Sequence, residues 1–227
     1  MDERPCLKIC GITNADDARL VAASGADYCG ILVDVPFSER SLSLLEAKDV
    51  ASAADIPVVI LLCDPDGAAA EGVVREIKPY ALQLLCRESP AFVREMKSRL
   101  PCRIWKTVHL PPPAGQASPE AYAQVGADAL IVDRADRSEG VLRLGGTGKT
   151  VDWNAALSIV EAVSIPVLLA GGITPENVEQ ALDAVRPAGI DVCSGVEASN
   201  GRKDPEKVRA LVHHFNLAAT RGRRGEK

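Results

Sequence analysis

Two residues of this chain, Cys10 and Asp133, stand at the ends of short apolar runs and could exchange protons with a substrate. Cys10 follows Lys8 by two positions, so on a strand both side chains point to the same side. A free thiol has a pKa of about 8.5, and a nearby ammonium would increase the thiolate fraction. An apolar wall around Asp133 would raise its pKa and allow it to donate a proton near neutral pH. The alternatives are an inert core thiol for Cys10 and an ion pair or a helix cap for Asp133.

A second group of residues could bind anions. Arg40, in the segment FSERS at 37–41, suits bidentate capture of a carboxylate or phosphate; the alternative is an ordinary surface arginine. Small residues end two later apolar runs, and their backbone N–H groups could hold a phosphate rather than only form turns. These residues are Gly171, Gly172, Ser194 and Gly195.

The segment GGTGKTVDW at 145–153 resembles a nucleotide-binding P-loop only in part. The P-loop spacing requires a glycine where this chain has Arg143, and a helix that begins at Lys149. The next helical pattern instead begins near Asn154. The segment is therefore interpreted as a loop that does not bind ATP.

These residues are positioned by an alternation of apolar runs and amphipathic stretches. The apolar runs are typical of buried parallel strands. The amphipathic stretches are typical of helices that begin at capping residues. The predicted strands span 7–12, 28–33, 58–63, 81–85, 103–108, 129–133, 166–172 and 189–195. The predicted helices span 14–25, 43–54, 66–78, 89–100, 118–126, 154–163, 174–185 and 204–215.

Eight strands, each followed by a helix, predict a single-domain (β/α)8 TIM barrel over residues 1–227. A doubly wound sheet is the alternative, and the absence of a second domain in the pattern disfavours it. Residues 217–227 are predicted to be a disordered basic tail. In a barrel, the active site lies at the carboxyl ends of the strands, where the residues named above are found.

Composition restricts the class of protein. The 227 residues are 47% hydrophobic and 25% charged, with a net charge of −5, so we expect no nucleic-acid partner. No run is long enough to span a membrane, and no apolar leader begins the chain, so we expect a cytoplasmic protein. The seven cysteines are scattered, without a CxxC pair, which predicts buried free thiols, no disulfides and no metal site.

Taken together, the motifs resemble the phosphoribosylanthranilate isomerase family over essentially the whole chain. The segments that carry the resemblance are KICGIT (8–13), ADYCGILV with SER (26–33 and 38–40), GGTGKTVDW (145–153), LAGGITPENV (169–178) and DVCSGVE (191–197) with KDPEKV (203–208). The resemblance implies an intramolecular aldose–ketose isomerase of tryptophan biosynthesis that needs no cofactor or metal. Such an enzyme converts N-(5-phosphoribosyl)anthranilate to 1-(o-carboxyphenylamino)-1-deoxyribulose 5-phosphate.

The resemblance also assigns roles to particular residues. It implies that Cys10 is the general base, that Asp133 is the general acid and that Arg40 holds the anthranilate carboxylate. Separately, the strand geometry predicts that Lys8 helps to ionise Cys10, and Lys8 and Gln83 are expected to assist in substrate binding. The residues expected around the phosphate are Gly146, Thr147, Gly148, Gly171, Gly172, Ser194 and Gly195. The expected partner is a small phosphorylated substrate, and the chain would be a monomer or a homodimer.

Some positions depart from the family pattern. After LQL in the fourth run the family usually has His-Gly, whereas this chain has Leu85 and Cys86, and Ser41 and Leu42 differ after the arginine. These changes leave open an isomerase with another phosphoribosylamine-type substrate, or a non-catalytic sugar-phosphate-binding barrel. A metal-dependent epimerase would need a cluster of histidines and carboxylates, and only His109 lies near a strand end.

Overall fold

A computed structural model of the chain describes the backbone of residues 4–138, 141–144 and 150–224 and the side chains of these ranges except 136–144 and 222–224. The strands in these ranges are β1 Cys6–Ile9, β2 Tyr28–Val33, β3 Ser41–Leu42, β4 Val58–Leu62, β5 Ala81–Leu84, β6 Arg103–Leu110, β7 Ala129–Ser138, β8 Val141–Leu144, β9 Val167–Leu169, β10 Gly189–Val192, β11 Glu197–Ser199 and β12 Arg202–Lys203.

The helices follow the strands in the predicted alternation. They are α1 Ala15–Ser24, α2 Leu44–Ser52, α3 Gly67–Ile77, α4 Pro90–Arg99, α5 Pro119–Gln124, α6 Trp153–Ala162, α7 Val178–Val185 and α8 Pro205–Arg224, with a 3-10 turn at Ser194–Val196. No helix of the described ranges is both long enough and apolar enough to cross a membrane.

Eight of the strands form a closed parallel barrel. The hydrogen-bonded order is β1-β10-β9-β7-β6-β5-β4-β2, and pairing of β2 with β1 closes the ring. Each strand returns to the sheet through a helix on the outside, as parallel neighbours require. The predicted (β/α)8 barrel is therefore confirmed.

Local capping explains where the helices begin. Asn14 accepts a hydrogen bond from the backbone N–H of Asp17, and Ser43 forms a capping box with Glu46. A side-chain cap of this kind is worth about 1 kcal/mol. The helix after the glycine-rich segment begins at Trp153, capped by Asp152, rather than at the lysine that a P-loop would require.

Alternation along the strands divides the core into two layers. One side of each strand packs against the helices, and the other side fills the barrel interior. Cys10 belongs to the interior layer. The other buried apolar residues of that layer are Leu32, Val35, Val59, Leu61, Ala81, Leu85, Cys86, Trp105, Ala129, Ile131, Leu168 and Ala170.

Two chain segments differ from the prediction. The sixth barrel strand continues to Ser138, past its expected end at residue 133, because beyond the barrel it pairs with β8 as an antiparallel hairpin. The last helix continues to Arg224, so a disordered tail from residue 217 is wrong for residues 217–224. An apolar face, with Ala218 and Ala219 buried, extends this helix beyond the predicted end.

Candidate active site

Cys10 lies at the carboxyl end of β1 and is 6% exposed. It adjoins Lys8, as the alternation of the strand predicts. Both side chains occupy space that is left open by Gly30 on the neighbouring strand, because a Cβ atom at Gly30 would lie 2.7 Å from the Sγ of Cys10 and 3.0 Å from the Nζ of Lys8. A residue larger than glycine at this position would therefore displace both groups.

Lys8 is fully buried and pairs with Asp191 of β10. The two residues are register partners on adjacent parallel strands, and the Nζ of Lys8 donates a 2.8 Å hydrogen bond to Oδ2 of Asp191. Oδ1 of Asp191 has no hydrogen-bond partner among the described residues. Asp191 was not among the site residues predicted from the sequence. A lone carboxylate in the apolar run GIDV could have indicated it, because a buried charge requires a partner.

Opposing effects act on the thiol of Cys10. Burial raises the pKa of Cys10 to about 12; the ammonium of Lys8 lowers it, and the carboxylate of Asp191 raises it further. Lys8 thus favours the thiolate, as expected from the sequence, but burial outweighs it in the free protein. The pKa of Lys8 itself is raised, since the negative charges of Asp191 and the thiolate outweigh the effect of burial.

Asp133 lies where β7 leaves the barrel, with its side chain toward the interior. Its Oδ1 accepts a 2.7 Å hydrogen bond from the backbone N–H of Arg134. Burial raises the pKa of Asp133 to about 7; the Arg134 N–H lowers it, Asp191 raises it and Lys8 lowers it. A carboxyl group with this pKa is partly protonated at neutral pH and can act as an acid.

Cys10 and Asp133 face each other across the mouth of the barrel. Their strands, β1 and β7, are three steps apart in the ring of eight, with β10 and β9 between them. The charges of Lys8 and Asp191 act on the pKa of both groups. A ligand that sits over this ion pair would have a thiol on one side and a carboxyl on the other.

Arg40 is buried and is held by an internal carboxylate. Its Nε and Nη2 donate hydrogen bonds of 2.7 and 2.6 Å to the two oxygens of Glu197, which also pairs with Lys203 at 3.0 Å. Burial raises the pKa of Glu197, but Arg40 and Lys203 outweigh it, so the net pKa is lowered. The bonds to Glu197 fix the guanidinium in place and do not involve Nη1.

Gln83 of β5 lies in the barrel interior. Its Nε2 donates a 3.0 Å hydrogen bond to Oγ1 of Thr107 on β6, while its Oε1 has no partner among the described residues. The amide is 2% exposed, so it could meet only a ligand that enters the barrel. Its assignment to substrate binding stays a prediction.

The small residues after β9 and β10 form one continuous surface. Gly171 and Gly172 have φ angles of +80° and +67°, and Ser194 and Gly195 form the 3-10 turn. The two loops touch through backbone, because a Cβ atom at Gly195 would lie 1.9 Å from the carbonyl oxygen of Ile173. The structure therefore brings these four residues together.

Three of the predicted phosphate-loop residues cannot be placed. Gly146, Thr147 and Gly148 lie outside the described residues. Their flank is described: Nη1 of Arg134 donates a 2.6 Å hydrogen bond to the carbonyl of Thr150, and the N–H of Val151 donates to the carbonyl of Gly171. Thr150 and Val151 therefore lie beside Arg134 and the loop after β9.

Cys63 and Cys86 are joined by a disulfide bond, so the prediction of seven free thiols is wrong for this pair. The residues are 23 positions apart in sequence but follow neighbouring parallel strands, in which Leu62 and Leu84 are partners. Strand pairing thus brings the two sulfurs together at the carboxyl face. The free cysteines are Cys6, Cys10, Cys29, Cys102 and Cys193.

The same pair belongs to the one group of described side chains whose atoms are close enough to share a metal ion. Asp64 completes that group with Cys63 and Cys86. Thiolates are the form in which cysteines bind metals. Because the two sulfurs are bonded to each other, the group offers no thiolate in this state.

Reduction of the Cys63–Cys86 bond is expected to lower the free energy of unfolding by about 3 kcal/mol, since the cross-link restricts the unfolded chain. Urea unfolding with and without dithiothreitol measures the difference. The Cys63→Ser/Cys86→Ser variant should not respond to the reductant, whereas Cys102→Ser, a matched control with a free thiol, should respond like the wild type. Identical wild-type transitions in both buffers would contradict this expectation.

Known proteins are similar to this chain over most of its length. A sequence model of the family described as "N-(5'phosphoribosyl)anthranilate (PRA) isomerase" matches residues 7–214. The N-(5'-phosphoribosyl)anthranilate isomerase of Methanocella arvoryzae is 39% identical over 214 residues, which cover 93% of this chain and 98% of the relative.

Solved structures show the same similarity. Phosphoribosyl anthranilate isomerase from Thermotoga maritima superposes with a TM-score of 0.80 at 28% identity, covering 94% of this chain and 99% of the other. A phosphoribosyl anthranilate isomerase in complex with reduced 1-(o-carboxyphenylamino)-1-deoxyribulose 5-phosphate superposes with a TM-score of 0.75 at 25% identity, with the same coverage. The family predicted from the motifs is confirmed, and this chain belongs to the N-(5'-phosphoribosyl)anthranilate isomerase family.

Proposed function

We propose that this chain converts N-(5-phosphoribosyl)anthranilate to 1-(o-carboxyphenylamino)-1-deoxyribulose 5-phosphate with Cys10 as base and Asp133 as acid. The names of the family and of the matched relatives support the reaction. The observation that carries the assignment of roles is the placement of Cys10 and Asp133 on either side of the buried Lys8–Asp191 pair. The chain is thus an intramolecular aldose–ketose isomerase of tryptophan biosynthesis.

The reaction requires two proton transfers at different atoms of the sugar. Asp133 donates its proton to the furanose ring oxygen as the C1′–O bond breaks, which opens the ring to a Schiff base. The thiolate of Cys10 then removes the C2′ proton, and the electron pair moves to the nitrogen to give an enolamine. Tautomerisation of the enolamine gives the ketone. Each positioned acid or base contributes about 10²–10⁴-fold to the rate.

The remaining residues of the site bind the two ends of the substrate. Arg40 would meet the anthranilate carboxylate through Nη1, while Glu197 holds the other side of the guanidinium. The joined loops that contain Gly171 and Gly195 would hold the phosphate through backbone N–H groups. Both ends are then fixed while the sugar lies between the thiol and the carboxyl.

The decisive experiment follows the loss of the fluorescent anthranilate adduct by the purified full chain from pH 5 to 10. The reactive form carries one proton in total on the pair, with Asp133 protonated and Cys10 ionised. The two groups have pKa values of about 7 and about 12 in the free protein, so below pH 7 both are protonated. We therefore expect kcat/KM to rise with pH through about 7 and then to stay level.

This pKa order also means that the proton rests mostly on Cys10 once pH exceeds 7, and the reactive arrangement is the minor one. The fraction of the one-proton form that has Asp133 protonated and Cys10 ionised does not change with pH, so kcat/KM stays constant above pH 7. A wild-type enzyme that consumes no adduct at any pH would contradict the proposed substrate. A rate that falls from pH 6 to 8 would contradict the assigned acid–base pair.

A further inference from the structure

His109, near the end of β6, is a fully buried histidine that the proposed reaction does not use. Neither of its ring nitrogens has a hydrogen-bond partner among the described residues. Its backbone, by contrast, is fully engaged, since its N–H donates to Oε1 of Gln116 at 2.8 Å and its carbonyl accepts from Nε2 at 3.1 Å. Buried polar atoms normally have partners, so an imidazole that has none among the described residues is a candidate for a contact with a ligand.

The ring of His109 faces the interior of the barrel mouth. On β6 it lies four residues after Trp105, on the same side of the strand, and Trp105 packs in the interior layer against Tyr28 and Tyr80. In register, His109 is the partner of Asp133 on β7. Adjacent parallel strands lie about 4.8 Å apart, so the imidazole and the carboxyl adjoin the same space.

The environment keeps the imidazole neutral. Burial lowers the pKa of His109 to about 3 and the ammonium of Lys106 lowers it as well, while the nearby side chain of Gln116, whose amide is bonded to the His109 backbone, has a smaller raising effect. A neutral imidazole offers one N–H donor and one acceptor nitrogen. Leu85 follows the neighbouring strand β5 and lies in the same interior layer. Its apolar side chain offers neither a hydrogen-bond donor nor an acceptor.

We propose that His109 contacts the substrate of this enzyme, forming a hydrogen bond from a ring nitrogen to a polar atom of the ligand next to the carboxyl of Asp133. The inference rests on the proposed function for the identity of that ligand. His109 would hold the substrate in line with the acid and would neither give up nor gain a net proton. This role differs from those of Cys10 and Asp133, which exchange protons.

Substitution tests the contact through activity. His109→Leu removes the hydrogen bond and should lower kcat/KM about tenfold, mainly through KM, which corresponds to the loss of one hydrogen bond. His109→Gln keeps a donor and an acceptor and should recover part of that loss. The control is His213→Gln, an exposed position on α8, which should behave like the wild type. Wild-type kcat/KM in both folded His109 variants would overturn the proposal.

A spectroscopic test does not depend on turnover. The chain has three histidines, and the other two, His213 and His214, lie on α8 on the outside of the barrel. In protein labelled with 15N-histidine, the ring signals of His109 should show no titration from pH 5 to 9 and should shift when reduced 1-(o-carboxyphenylamino)-1-deoxyribulose 5-phosphate is added. The signals of the two outer histidines should not shift.

Separate additions of anthranilate and of ribose 5-phosphate identify the half of the ligand that His109 meets. Ring signals that stay unchanged at saturating reduced product analogue would overturn the contact. Shifts without any turnover by the wild type would refute the proposed reaction but leave the contact standing. Turnover without shifts would refute the contact but leave the proposed reaction standing. The failure of one proposal can therefore be told from the failure of the other.

Discussion

Replacement of Cys10 by serine is expected to lower kcat by about 10²–10⁴-fold, the contribution of a positioned base. A serine hydroxyl ionises far less readily than a thiol, while its similar size should leave the barrel intact. KM should change little, because Cys10 removes a proton and does not anchor either end of the substrate. Steady-state fluorescence of adduct consumption separates kcat from KM in this variant.

Two further variants sharpen the test of Cys10. Cys102→Ser removes a half-buried thiol that precedes β6, at the opposite end of the barrel, and should keep the wild-type kcat. Ile9 and Val192 are register partners, so Cys193, the residue after Val192, lies next to Cys10. Cys193 is therefore the thiol best placed to substitute for Cys10. Wild-type kcat in both Cys10→Ser and Cys10→Ser/Cys193→Ser would show that the base is another group.

Replacement of Asp133 by asparagine is expected to have two effects of opposite sign. Loss of the acid should lower kcat/KM by about 10²–10⁴-fold. The same change should stabilise the fold at alkaline pH, because the wild type must hold a half-buried carboxylate there. The levelling of kcat/KM near pH 7 should also disappear, because the group with that pKa is gone; kcat/KM should then keep rising with pH, following the ionisation of Cys10, whose pKa is about 12.

The stability effect follows from the direction of the pKa shift. The pKa of Asp133 rises from 3.8 to about 7 on folding, so the folded protein binds the proton more strongly. This contribution to stability is complete below pH 3.8 and is lost as the pH rises through 7. Between pH 5 and pH 8, the wild type should therefore lose roughly 2–3 kcal/mol relative to Asp133→Asn.

Urea unfolding of both proteins at pH 5 and pH 8 measures this difference. Asp183→Asn is the matched control, because Asp183 is exposed on α7 and its replacement should change neither stability nor activity. Equal pH dependence of the wild type and Asp133→Asn would mean that Asp133 is not a protonated acid in the folded protein.

Much of the fold was predictable because the signals that set it are local. Each barrel strand is a short apolar run, and Asn14, Ser43 and Ser89 mark helix starts by accepting backbone hydrogen bonds within the next three residues. Eight repeats of this unit leave few ways to bury the runs, and a closed barrel is one of them. The positions of Cys10 and Asp133 at the carboxyl face followed from the same repeats.

The partners of the site residues were not predictable in this way, because they come from distant parts of the chain. Lys8 is paired with Asp191, and Arg40 with Glu197, across more than 150 residues. The apolar run GIDV marks Asp191 as a buried carboxylate, but no local pattern shows which residue pairs with it. Only closure of the barrel places β10 beside β1 and brings the charges within hydrogen-bond distance.

The sequence by itself determined the element order, the family and the two groups that we propose exchange protons, since periodicity, capping and motif spacing are properties of neighbouring residues. The tertiary structure alone decided which side chains are buried together. It joined Cys63 to Cys86, extended β7 beyond the barrel and placed the buried ring of His109 beside Asp133. Those outcomes depend on strand register, which fixes the neighbours of a residue in space rather than along the chain.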